Sequence, residues 1–203
     1  MGASLDVIQT GLEKLALDCG FTRTGRLDPA SMKVRREVRD ACAADKCRAY
    51  GKSWSCPPAC GALAAAGSLE ECEKLLARYQ SGLILQTTGN TEDSFDFESM
   101  TRIGEEHNGH LHNFQEKLNS FFPGEKSWLL LGSGPCKICG QCSYPKSACN
   151  YPEKMLVPVE AMGIVVSDLC VANNVPYYWG PGTLTYTGCL LLGGTFLGSQ
   201  LPQ

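Results

Sequence analysis

No apolar stretch in this sequence is long enough to cross a bilayer. The longest uninterrupted ones lie around residues 129–131 and 190–192, far short of the roughly 20 residues a membrane helix needs. The opening residues also lack the basic start and apolar middle of a secretory signal, so the expected location is cytoplasmic, with no membrane partner. Excess positive charge is missing too. With a formal charge of −3 and a pI near 5.6, the global balance offers nothing to nucleic acid, which is bound through a concentrated positive face. Internal repeats and low-complexity tracts are absent as well. Cysteine, by contrast, is plentiful: twelve in 203 residues. Without an export signal these thiols stay reduced, which argues against a disulfide framework and for thiolate ligation.

A chain of this length can bury a real hydrophobic core. The expectation is one α/β domain over residues 1–203, with loops 42–61 and 132–152 forming a metal-cluster lobe. Leu5, Ile8, Leu12, Leu15 and Ala16 form a helical stripe that ends before Gly20. Residues 21–27 read as a short strand. Asp28-Pro29 predicts an N-cap with proline at the first helical position, and so a helix through Met32 and Val38 to Cys42. Ser68-Leu-Glu-Glu71 is a capping box. It opens a helix whose inner face carries Leu69, Cys72, Leu75, Leu76 and Tyr79 and which Ser81-Gly82 ends. Residues 83–88 read as a buried strand and 89–98 as an acidic surface loop.

Met100, Ile103, His107, Leu111, Phe114, Leu118 and Phe121 recur at steps of three and four, which fixes the core face of a long helix closed by Pro123-Gly124. A strand at 128–131 follows. Strand, helix and strand at this spacing predict a βαβ unit with the two strands as parallel neighbours. Residues 158–173 look helical, and 183–192 form a last strand. The fold class is therefore α/β, a small mixed and partly parallel sheet flanked by helices, carrying two cysteine-rich cluster-binding loops.

The first such loop to be recognised follows the strand at 128–131: Gly132-Ser-Gly-Pro-Cys136-x2-Cys139-x2-Cys142-x6-Cys149-x2-Pro152. Three cysteines at two-residue gaps put three thiolates on three corners of one cubane, with backbone N–H groups turned toward the sulfides. The loop starts at a strand's carboxyl end, where open α/β sheets usually build their sites. No helix with Lys-Ser/Thr follows Gly132-Ser-Gly134, so this is not a phosphate loop. The second set is Cys42-x4-Cys47-x8-Cys56-Pro-Pro-x-Cys60. Pro57, Pro58, Gly51 and Gly61 make it a wrapped loop instead of a helix face.

Four and four make eight thiolates, enough for two [4Fe-4S] clusters. In two-cluster ferredoxins the remote cysteine ligates the other cluster, so Cys149 and Cys42 are interchangeable as fourth ligands. Zinc is the alternative at one or both sites, since it asks only for four thiolates in a rigid tetrahedron.

Cys19, Cys72, Cys170 and Cys189 fall on apolar faces and read as small buried hydrophobes. His107 reads as a core histidine, with a proton-carrying role as the sharper alternative. Lys33, Arg35, Arg36, Arg39, Lys46, Arg48 and Lys52 crowd the first cysteine set. They form either a solvated face or a basic one that offsets cluster charge and receives an acidic redox partner. Tyr50 and Trp54 read as a lid that limits water access.

Taken together, Cys47-x2-Tyr50-Gly-Lys-x-Trp54-Ser-Cys56-Pro-Pro, the Gly132–Pro152 motif and Val159-Glu-Ala-Met-Gly163-Ile resemble a family of predicted metal-binding proteins of unknown function found mainly in anaerobic bacteria and archaea. The resemblance spans about residues 20–192. It implies metal or cluster binding at Cys42, Cys47, Cys56, Cys136, Cys139, Cys142 and Cys149, and supplies no reaction. Cys60 joins the set by count alone, and the function turns on it. With four thiolates the first cluster is confined to electron transfer; with three it has an open iron that acts as a Lewis acid, and Tyr50, His107 or Arg48 would handle protons or an anionic substrate. A zinc-stapled interaction module is the third reading.

Overall fold

The computed structural model describes residues 5–61, 68–124 and 127–194. Its centre is a five-stranded sheet in the order β1-β2-β5-β3-β4, with β1 Arg23–Leu27, β2 Tyr79–Asn90, β3 Trp128–Gly132, β4 Val157–Pro158 and β5 Thr183–Gly193. Five helices flank it: α1 Leu5–Asp18, α2 Arg36–Ala43, α3 Leu69–Leu76, α4 Phe97–Phe121 and α5 Val166–Ala172. The α/β class with a partly parallel sheet holds. No described helix is long and apolar enough to cross a membrane.

Successive residues of a strand point to opposite faces, so β2 and β5 serve two cores at once. Leu83, Leu85, Leu190 and Leu192 pack with Leu12, Leu111, Phe114 and Leu118 of α1 and α4 on one face. Ile84, Cys189 and Leu191 pack with Cys72, Leu76, Leu169 and Cys170 of α3 and α5 on the other. This burial on both sides explains the near-continuous apolar run of each central strand. Cys19, Cys72, Cys170 and Cys189 are all buried apolar residues here, as their positions in the sequence predict.

Four local expectations are corrected. The helix predicted from Asp28 is only a 3-10 turn, Pro29–Ser31, although Asp28 does cap it through Ala30 N at 2.9 Å. The chain then extends, because Val34 bridges Ile164 and Arg35 N–H donates to Gly163 O at 2.8 Å; only after that does α2 begin. The Ser68 cap is present, accepting from Glu71 N at 3.1 Å. Its helix stops at Leu76, however, and Tyr79, Ser81 and Gly82 belong to β2. Gly82 serves close packing and not termination, since a Cβ there would run into the Leu190 carbonyl oxygen. The strand then continues to Asn90, which shortens the predicted acidic loop. Finally, residues 158–173 are broken into β4, a 3-10 turn at Glu160–Met162, and α5.

The predicted βαβ unit is correct in direction and wrong in adjacency. β2 and β3 are each antiparallel to β5 and so run parallel, but β5 lies between them. The parallel neighbour of β3 is β4, through Leu131↔Val157 and Gly132↔Pro158. These two strands end at the same sheet edge, and the site is built there.

Candidate metal centre

β3 ends at Gly132, and residues 133–156 contain no regular element before β4. The return of this loop is held by Ser143, whose Oγ donates to Ala148 O at 2.7 Å and whose carbonyl accepts from Lys146 N at 2.8 Å. Cys136, Cys139, Cys142 and Cys149 thereby line one cleft of ≈ 400 Å³. Burial pushes the Cys136 thiol up from its ordinary value; the Ile138 N–H aimed at its sulfur opposes this, and the neighbouring Cys149, Cys139 and Cys142 add to it. Trp54 closes one side, its ring meeting Tyr144 edge-on at 4.9 Å and its Nε1–H donating to Ser147 O at 3.0 Å.

The other set grows out of α2, whose last turn carries Cys42. Asp45 then organises the wrapped loop. Its Oδ1 accepts from Tyr50 N at 2.9 Å and its Oδ2 from Lys52 Nζ at 2.6 Å. Lys52 first, and then the Tyr50 N–H, hold the carboxyl below its usual range. Gly51 N–H donates to Pro57 O at 2.9 Å and closes the wrap. Cys42, Cys47 and Cys56 line a second cavity of ≈ 240 Å³, with Tyr50 and Glu160 in the same wall.

Cys60 is placed differently. It adopts φ 45°, is 0% exposed and packs in the core between the sheet, α3 and α5. Its Sγ donates to Ala161 O at 3.5 Å, and it lines neither cavity. Burial pushes both the Cys56 and Cys60 thiols up to about 11. Such thiols hold their protons until a cation displaces them, so metal binding here would release protons.

The two cavities share a wall. Cys47 and Pro135 border both, and Cys136 is among the charges that act on Cys56. A buried serine ties the loops together: Ser55 Oγ accepts from Cys136 N at 3.0 Å, meets Ser53 Oγ at 3.0 Å and lies 3.7 Å from Cys56 Sγ. Ser55→Ala removes the partner of the Cys136 N–H. The expected cost is about 1 kcal/mol in urea unfolding of the metal-free protein, together with faster metal loss to a chelator. An unchanged midpoint and unchanged loss rate would show that Ser55 does not hold the two loops in register.

The basic residues separate by role. Arg48 and Lys52 line the larger cleft, joined by Lys137, which sequence reasoning passed over. Arg39 turns inward: its guanidinium donates to Ala161 O at 2.9 Å and lies 3.5 Å from Cys72 Sγ, and its charge lowers Cys42, Cys60 and Cys72 against the upward push of burial. Arg35 pairs with Asp168 at 2.9 Å, and Lys33 borders a separate depression beside Glu73. Tyr50 borders the smaller cavity, and Trp54 and Tyr151 the larger, so each has an aromatic wall. His107 is buried against Phe21, with Nδ1 3.0 Å from Thr87 Oγ1, and lines neither cavity.

Among the described residues, no three thiol, imidazole or carboxylate groups converge closely enough to chelate a single ion. One zinc draws four thiolates to about 2.3 Å from a common point, whereas a cubane carries its thiolates on separate irons around a larger body. Thiols standing around a cavity, at least one with an N–H on its sulfur, leave room for a group of the second kind.

The chain matches the family described as predicted metal-binding protein (DUF2284) over residues 25–192. No curated protein and no solved structure matches it.

Proposed function

The chain belongs to the DUF2284 family of predicted metal-binding proteins, and from that premise we propose that it is an iron–sulfur protein with two adjacent four-iron clusters that acts in electron transfer. The observation that carries this reading is the pair of thiol-lined cavities with a common wall at Cys47 and Pro135. When bound, four-iron clusters supply one-electron chemistry at potentials set by hydrogen bonds to sulfur and by exposure.

The protein's own residues set those conditions. Cys136, Cys139, Cys142 and Cys149 hold the outer centre, while Cys42, Cys47 and Cys56 hold the inner one. Ile138 N–H at Cys136 Sγ stabilises extra negative charge there. Trp54 and Tyr144 exclude water from one side of the outer cleft, and Tyr50 does so for the inner cavity. Arg48, Lys52 and Lys137 at the outer cleft steer an acidic redox partner toward that centre.

Anaerobic purification with iron, labile-sulfide and zinc assays, plus EPR of the reduced protein, tests the reading. About eight irons and eight sulfides per chain are expected, with a paramagnetic reduced state. Stoichiometric zinc without visible charge-transfer absorbance would instead establish a zinc-stapled module and end the electron-transfer reading.

A further inference from the structure

We propose that the fourth protein donor of the inner centre is the Glu160 carboxylate, not the Cys60 thiolate. The inference rests on Cys42, Cys47 and Cys56 forming a metal centre, but it concerns the donor and holds for iron or zinc alike.

Two observations point the same way. Glu160 opens the 3-10 turn directly after β4. That turn is pinned by Val159 N–H donating to Gly132 O at 3.0 Å and Gly163 N–H donating to Glu160 O at 2.9 Å. Its placement puts the Glu160 side chain into the wall of the cavity that also carries Cys42, Cys47 and Cys56. There Oε2 is buried and has no hydrogen-bond partner among the described residues. A buried carboxylate oxygen without a partner calls for an explanation, and an unrecorded cation is a standard one. The adjacent guanidinium does not supply it, since Arg39 directs its Nη2 to Ala161 O and Cys72 Sγ.

Cys60 has the opposite character. Its thiol is satisfied by Ala161 O, fully buried and part of the hydrophobic core that includes Leu76 and Met162. Cys60 lies near enough for Cys42 and Cys56 to act on it but does not line the cavity, whereas Glu160 is already in the wall.

Donor chemistry gives the assignment a consequence. On metal binding Oε2 acts as carboxylate, its proton leaving with those of the three thiols, and one metal–oxygen bond completes the set. Oxygen is a harder donor than thiolate, so this corner of the centre is the one open to exchange with a small oxygen-bearing or anionic ligand. The outer centre, with four cysteines, has no such corner.

The test compares Glu160→Gln with Cys60→Ala in the full chain, reconstituted anaerobically with iron and sulfide. Iron retained at the outer centre reports that each variant has folded. Glu160→Gln is expected to lose iron from the inner centre only and to change the inner contribution to the reduced EPR spectrum. Cys60→Ala is expected to keep the full iron content and an unaltered spectrum. The reverse pattern, or full retention by Glu160→Gln with an unaltered spectrum, overturns the proposal. Should Cys60→Ala fail to fold, Cys60→Ser with full iron gives the same support and with inner-centre loss the same refutation. If the wild type takes up zinc in place of iron, the cluster reading fails, while zinc counts in the same two variants still decide which donor completes the inner site.

Discussion

Cys142→Ala is expected to strip the outer centre and spare the inner one: under the two-cluster reading, iron and labile sulfide fall to about half of the wild-type content, the share of one four-iron cluster in two. The chain stays folded, because Cys142 lies in the turn-rich loop after β3 and belongs to neither hydrophobic core, and substitutions outside such features usually change stability by no more than about 0.5 kcal/mol. Cys56→Ala has the complementary effect, removing the inner share while the outer one persists. Metal and sulfide analysis of the two variants, with circular dichroism as the folding control, reads this directly. Loss of all iron in either variant would mean that the shared wall at Cys47 and Pro135 encloses one jointly held cluster, and the two-centre arrangement would be wrong.

Acid sensitivity of the metal-free protein is expected to trace largely to His107. The side chain is fully buried, and that burial, with His110 adding to it, pushes the imidazole down to about 3. An unfolded histidine titrates near 6.5, so below that pH the unfolded chain binds a proton that the folded chain refuses. The contribution to stability is therefore fully present above about pH 6.5 and is lost progressively as pH falls toward 3, by about 1.4 kcal/mol for each unit. The total reaches several kcal/mol, a large part of what holds an ordinary domain together. His110, lowered chiefly by its own burial, acts in the same direction. Asp45 and Asp96, both held below their usual range, add to the loss only as pH falls through the ordinary carboxylate region. Denaturant unfolding of His107→Leu from pH 7 to pH 4 should show a much flatter dependence than wild type. An unchanged slope would assign the acid sensitivity elsewhere.

The structure places this histidine outside the lining of both thiol cavities. Its place on the apolar stripe of α4 was legible, since steps of three and four put it in line with Ile103, Leu111 and Phe114, all buried. Periodicity does not say which face of the sheet the helix covers. α4 packs with α1 on one face of the sheet; His107 lines neither thiol cavity, while Asn108 and His112 of the same helix border a depression with Cys136 and Lys137.

Much of the rest was written locally. The extents of α1 and β5 and the core face and end of α4 follow from patterns that a dozen residues complete by themselves: a stripe of apolar residues, and a Gly or Pro-Gly beyond a helix end. The helix expected after Asp28 failed for the opposite reason. Its cap was correct, but Val34 and Arg35 are claimed by Ile164 and Gly163, partners well over a hundred residues away. The two strands joined by α4 likewise run parallel as expected, yet nothing within residues 79–132 announces that β5 will be inserted between them.

By itself the sequence determined where the thiols lie along the chain: twelve cysteines, two sets of them at loop-forming spacings, and the position of the later set beyond a strand. Spacing is a covalent property and survives in one dimension. The tertiary structure alone decided which way the side chains face. Cys60 turns inward to Ala161, 101 residues away, while Glu160, which belongs to the motif at 159–164 but is not read there as a donor, stands in the cavity wall just after β4, which pairs with β3. Orientation of this kind depends on which distant surfaces exclude water together, and no local pattern of residues encodes that.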